Sequence, residues 1–126
     1  MSEHHVVATK FKDKESLVES IKEMGYNPIV HASNKTMEMY GGETAKASII
    51  IPRKQIGAYY ADIGFEETDK EFIMHVDSYG DFSYDKLKQG YSKVRIMKQV
   101  RAKHKYQLKS EHVEKDGRIK LKVRIR

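Results

Sequence analysis

Two residues of a type that does chemistry stand one apart in the segment FIMHVDSY. His75 and Asp77 would leave the same face of an extended strand, where they could share a proton or a metal ion. A metal site needs a third ligand, and the local sequence places none of His4, His5, His31 or the carboxylates beside them. A hydrogen bond on the strand face is therefore the expectation for His75. His4 and His5 are expected to be exposed, and no metal, cofactor or catalytic residue is assigned. The glycine pair in YGGETAKAS lacks the Gly-Lys-Ser/Thr ending that puts a lysine on phosphates and a hydroxyl on magnesium, and it leads into a strand, so it reads as a hairpin turn. In DSYGDFSYD, Asp81 or Ser83 is placed to cap a helix, which accounts for the acidic cluster without a cleft.

The other chemistry-bearing stretch is KVRIMKQVRAKHKYQLK, residues 93 to 109, with seven Lys or Arg and no acid. Residues 1 to 75 hold nine basic against twelve acidic residues, a balance of −3; residues 76 to 126 hold fifteen against six, a balance of +9. Such asymmetry points to a polyanion, because basic side chains that neutralise phosphates release condensed counterions. The candidate contacts are Lys93, Arg95, Lys98, Arg101, Lys103 and Lys105 on a helix and its exit, with Lys120, Lys122, Arg124 and Arg126 on the last strand. The structural alternative is a solvated helix back and an edge strand kept from unwanted pairing by lysine. Tyr91 falls on the apolar side of the helix and only Tyr106 is placed to stack, so binding would be to backbone and not to bases.

The elements that must position these residues follow from periodicity. At 126 residues and 39% hydrophobic content, one compact domain spanning residues 1 to 126 is expected. The absence of cysteine excludes disulfides and thiolate sites. No run is long enough to cross a bilayer and the start lacks a secretory apolar core, which points to a cytoplasmic protein. A strand is expected over residues 5 to 11, then a helix capped by Asp13 with Leu17, Ile21 and Met24 on one face and Gly25 at its end. Strands follow at 29–32, 36–40 and 47–52. Tyr59, Ala61, Ile63 and Phe65 then share a strand face, paired through a hairpin with Phe72, Met74 and Val76. A second long helix runs from about Ser83 to Lys103 with Tyr84, Leu87, Tyr91, Val94, Met97 and Val100 as its stripe, and Gly90 within it suggests close approach by a neighbour. RIKLKVRIR alternates strictly, turning at Asp116 and Gly117 from a partner strand at 106–114, where the opposite parity of Leu108 and Val113 implies a bulge between them if both reach the core. The sum is an α+β fold: an antiparallel β-sheet with two α-helices packed on one face, a two-layer sandwich.

Several short motifs lie in this order: Gly25-Tyr26, Tyr40 to Thr44 as Tyr-Gly-Gly-x-Thr, an Ala-x-Ile-Ile-Ile strand, Asp62 to Phe65 as Asp-Ile-Gly-Phe, Asp77, Tyr91, and Asp116 to Leu121 as Asp-Gly-x-Ile-x-Leu. In these the chain resembles a family of small proteins of unknown function from cyanobacteria, plastid genomes (the open reading frame called Ycf thirty-five) and bacteriophages. The family's usual Gly-Phe after the long helix is replaced here by His104, Lys105 and Tyr106, within a more basic tail. The resemblance implies a single α+β domain, is compatible with a viral source, and brings no catalytic residues. The expected role is that of a small accessory protein binding DNA or RNA backbone; the rival is a module that binds a host or partner protein. An exposed edge strand would allow a homodimer.

Overall fold

A computed structural model describes residues 3–103, 106–113 and 119–125, the last two segments as paired strands. The first helix, α1 (Lys14–Glu23), starts where Asp13 accepts the Ser16 amide and ends at Gly25, whose φ of 99° is open to glycine without strain. Beyond it the Tyr26 amide returns to the Ile21 carbonyl. Leu17 and Ile21 are fully buried, each stabilising the fold by about 1.5–3 kcal/mol relative to exposure.

Five strands form one antiparallel sheet: β1 (His5–Ala8), β2 (Ile29–Glu38), β3 (Thr44–Ile51), β4 (Ile63–Glu67) and β5 (Phe72–Val76), in the order β1-β5-β4-β3-β2. The predicted β4–β5 hairpin is present, with Gly64 opposite His75 and Phe65 opposite Met74. The expected first strand stops at Ala8, because Thr9 turns its hydroxyl onto the Phe72 carbonyl and receives the Phe11 amide. The two short strands expected between residues 29 and 40 are one, β2, whose register against β3 shifts between Val30 and Lys35. Gly41 and Gly42 lie in the connection between β2 and β3, both at positive φ.

Two further α-helices lie among the described residues. A single turn, α2 (Arg53–Ile56), was not legible in the sequence, and it displaces the segment read there as strand. Tyr59 is 87% exposed, β4 begins only at Ile63, and Asp62 accepts the Arg53 amide at the start of the turn. The long helix, α3 (Tyr84–Ala102), is capped by Ser83 and buries Leu87, Tyr91 and Val94. Leu17 and Ile21 of α1, Ile56 of α2, and Leu87 and Tyr91 of α3 share one cluster with Ile49, Ile51, Ile63, Phe65, Phe72, Met74 and Val76 from the sheet. The expected α+β class is what the fold shows. A second, smaller cluster gathers Met37, Met39, Ala45, Ala47, Ile50 and Ala61. Gly64 alternates with Ile63 and Phe65, so its face is the reverse of theirs, and a Cβ built on it would meet Met37 Sδ at 2.3 Å and Ala47 Cβ at 2.8 Å. At Gly90 the nearest atom to such a Cβ is Ser20 Cβ at 3.9 Å, an ordinary contact, so α1 does neighbour Gly90 without crowding it.

The last two strands, β6 (Tyr106–Val113) and β7 (Ile119–Ile125), form a separate two-stranded sheet. Their register slips by one residue between Leu108 and Ser110, which sets Leu108 opposite Val123 and Val113 opposite Ile119. The shift lies between Leu108 and Val113, where the sequence implies a bulge.

Candidate functional site

The basic residues of α3 do not stand clear of acidic neighbours. Lys98 Nζ donates to Asp13 Oδ2 at 3.0 Å and lies 3.5 Å from Glu15 Oε1, while Arg95 Nη1 is 3.8 Å from Asp13 Oδ2. The Ser16 hydroxyl bond, with the Lys98 bond and charge adding to it against the opposing effect of burial, holds the Asp13 carboxyl below its ordinary range. The bond to Asp13 likewise raises the Lys98 ammonium. Lys93 and Arg101 line a depression between α1 and α3 with Glu19, Glu23, Val94 and Met97. Lys103 closes the helix as its C-terminal cap and is exposed. The carboxylates of α1 thus accompany the cations of α3, and Asp13 serves both as cap and as counter-ion.

The hairpin is different in register. Lys120 pairs with His112, Lys122 with Ser110 and Arg124 with Gln107. Directly opposite residues share a face, so the positions that carry these three cations are matched by no acidic residue. The sequence from 104 to 126 holds eight basic and three acidic residues, +5 of the total +6. Lys105 and Arg126 lie outside the described residues, as does the turn expected at Asp116 and Gly117.

A second grouping was not legible in the sequence. His75, 7% exposed on β5, directs Nε2 to Glu66 Oε1 of β4 at 2.8 Å and Nδ1 to His4 Nε2 at 2.9 Å; His4 Nδ1 in turn meets Glu43 Oε2 at 3.0 Å. His4 is thus not the exposed residue expected but the middle of a Glu43–His4–His75–Glu66 chain, and the partner of His75 is not Asp77. Asp77 is 7% exposed, and among the described residues neither of its carboxylate oxygens has a hydrogen-bond partner. Burial pushes its carboxyl up, partly offset by the charges of His5 and His4. The four members of the chain come from separate segments, and only the pairing of β1 with β5, Val6 opposite His75, brings the amino-terminal residues to them. No local spacing could have signalled this.

The displaced strand also creates an aromatic surface. The rings of Tyr40 and Tyr60 are 4.7 Å apart and those of Tyr59 and Tyr60 6.3 Å, all three residues being exposed. Arg53 Nη1 donates to the Tyr60 carbonyl and anchors this corner. Among the described residues no helix is long and apolar enough to cross a membrane.

Among the described residues, a five-stranded antiparallel sheet with three α-helices, and a separate two-stranded sheet, define a small α+β protein. The chain belongs to a protein family of unknown function, DUF1257, whose model matches residues 20–122. No curated protein and no solved structure matches it. The matched span takes in Glu43, Glu66, His75 and Asp77 and leaves out β1 and His4.

Proposed function

We propose that this chain is a small accessory protein that binds nucleic-acid backbone, without reading sequence, through the β6–β7 hairpin and not through α3. The observation that carries the reading is the hairpin register, which matches Lys120, Lys122 and Arg124 with Gln107, Ser110 and His112 and with no carboxylate. The α3 cations contribute little, because Arg95 and Lys98 already share the Asp13 carboxylate. Lysines and an arginine in a row contact phosphates, which position a partner without specifying bases. A bacteriophage source, compatible with the family resemblance, would place the protein in host cytoplasm.

Fluorescence anisotropy of a labelled duplex over a salt series tests this. Three neutralised phosphates give a slope of log affinity against log salt of about −3, and Lys122→Glu with Arg124→Glu should flatten it by about 2 for unrelated sequences alike. Absence of binding at low salt, or binding indifferent to salt, rejects the reading. A protein partner is the second reading, favoured by the exposed Tyr40, Tyr59 and Tyr60 surface, since tyrosine is enriched where proteins meet. Under it, Tyr59→Ala would abolish partner capture and leave oligonucleotide affinity unchanged.

A further inference from the structure

We propose that Glu43, His4, His75 and Glu66 form a proton-dependent clasp: one proton held along this chain fastens the amino-terminal segment and the β2–β3 connection to the β4–β5 hairpin, and its loss as pH rises loosens them. Counting hydrogens leads there. An ionised carboxylate only accepts, so His4 Nδ1 donates to Glu43 Oε2 at 3.0 Å and His75 Nε2 donates to Glu66 Oε1 at 2.8 Å. The remaining nitrogens, His4 Nε2 and His75 Nδ1, lie 2.9 Å apart, a hydrogen-bond distance. Two neutral imidazoles have already given their hydrogens to the carboxylates, so a bond between these nitrogens requires a third. If His4 instead turns its single hydrogen toward His75, Glu43 must carry a proton to bond His4 Nδ1. Either assignment gives the chain one proton more than two neutral rings and two ionised carboxylates.

The surroundings suit a positive charge. Both imidazoles are largely withdrawn from water, with 13% of the His4 side chain and 9% of the His75 side chain exposed, and a carboxylate stands at each end of the pair. The amino-terminal segment adds Glu3 and His5, 3.8 Å from one another, and β1 brings no further ionisable side chain. Past the end of β5 stands the buried Asp77. The sign of the pH effect follows from the count. In the unfolded chain a histidine gives up its proton near about pH 6.5. A folded state that still holds the proton above that pH is stabilised by it, and the contribution disappears once the folded pair lets the proton go. Two nitrogen lone pairs then face one another and the rings separate. His4 is 71 residues from His75 and 39 from Glu43, so its departure uncouples segments that the backbone does not join locally.

Ring-proton NMR of the full chain between about pH 5 and 9 tests this directly. His4 and His75 should follow one shared midpoint at which the pair releases a single proton. Separate midpoints, each ring taking its own proton, overturn the proposal. Urea unfolding supplies the energetic arm, in an Asp77→Asn background that removes the other buried titration. The unfolding constant should rise by up to about tenfold per pH unit until the shared midpoint is passed. His4→Gln should flatten that rise, because its amide can donate to His75 Nδ1 without an added proton. Glu43→Gln keeps an acceptor for His4 but removes a negative charge, so it should move the shared midpoint to lower pH. The Glu43 side chain is 61% exposed, so this variant tests the clasp even if His4→Gln fails to fold. An unfolding constant indifferent to pH over the range, or a midpoint unmoved in Glu43→Gln, rejects it.

Discussion

Asp77 is the residue whose surroundings fit it least. Its carboxyl titrates above the ordinary range because burial disfavours the charge, whereas in the unfolded chain it titrates at about 3.9. The folded state therefore loses stability as pH rises from the unfolded value through the folded one, and the loss is complete above it. Asp77→Asn removes the charge at nearly constant shape. Its thermal midpoint should exceed that of the parent at pH 7, and the two should converge below about pH 4, where both side chains are neutral. A midpoint lower than the parent's at pH 7 would show that Asp77 has a partner when ionised. His75, two residues before it, has hydrogen-bond contacts at both ring nitrogens, to His4 and to Glu66. Spacing two apart says which face a residue takes and nothing about what lies across it.

Among the elements, those whose signals are local were legible. The Asp13 and Ser83 caps, the Gly25 stop, the β4–β5 hairpin and the β6–β7 bulge each depend on residues within a few positions of one another. The α2 turn and the exposed Tyr59 were not, because YYADIGF alternates well enough for a strand while Asp62 takes the Arg53 amide and holds a turn instead. The joining of β2 across its register shift was equally hidden, since Val30 and Lys35 find their places only against β3. Gly64 is a position where neighbouring strands pack closely. A methyl group there meets the flexible end of Met37 and also the Ala47 Cβ, which sits on the backbone of β3 and cannot step aside. Gly64→Ala should lower unfolding free energy by about 1–3 kcal/mol in urea titration, with Ala47→Gly in the same chain restoring part of it.

Across the whole molecule, charge is unevenly spread along the sequence. Residues 1 to 103 carry sixteen basic and fifteen acidic residues, nearly balanced, and the described contacts spend Arg95 and Lys98 on holding α3 to the start of α1. The excess lies in residues 104 to 126. Binding and stability should therefore separate by position. Lys98→Glu places a third negative charge beside Asp13 and Glu15 and should lower the thermal midpoint while leaving oligonucleotide affinity nearly unchanged; Lys122→Gln should lower affinity at an unaltered midpoint. Differential scanning fluorimetry beside the anisotropy assay reads both. Equal loss of affinity in the two variants would return α3 to the binding surface.

Periodicity, caps and turn residues were enough to establish an α+β chain of this size, with most helix and strand positions and the strict alternation of its final strand. They could do so because each signal is a relation between near neighbours along the backbone. Which carboxylates meet which cations, and which two histidines face one another, depended on strand order and on the approach of α1 to α3. Electrostatic contacts act through space at a few ångströms, and residues 4 and 75, or 13 and 98, become neighbours only when the chain has folded.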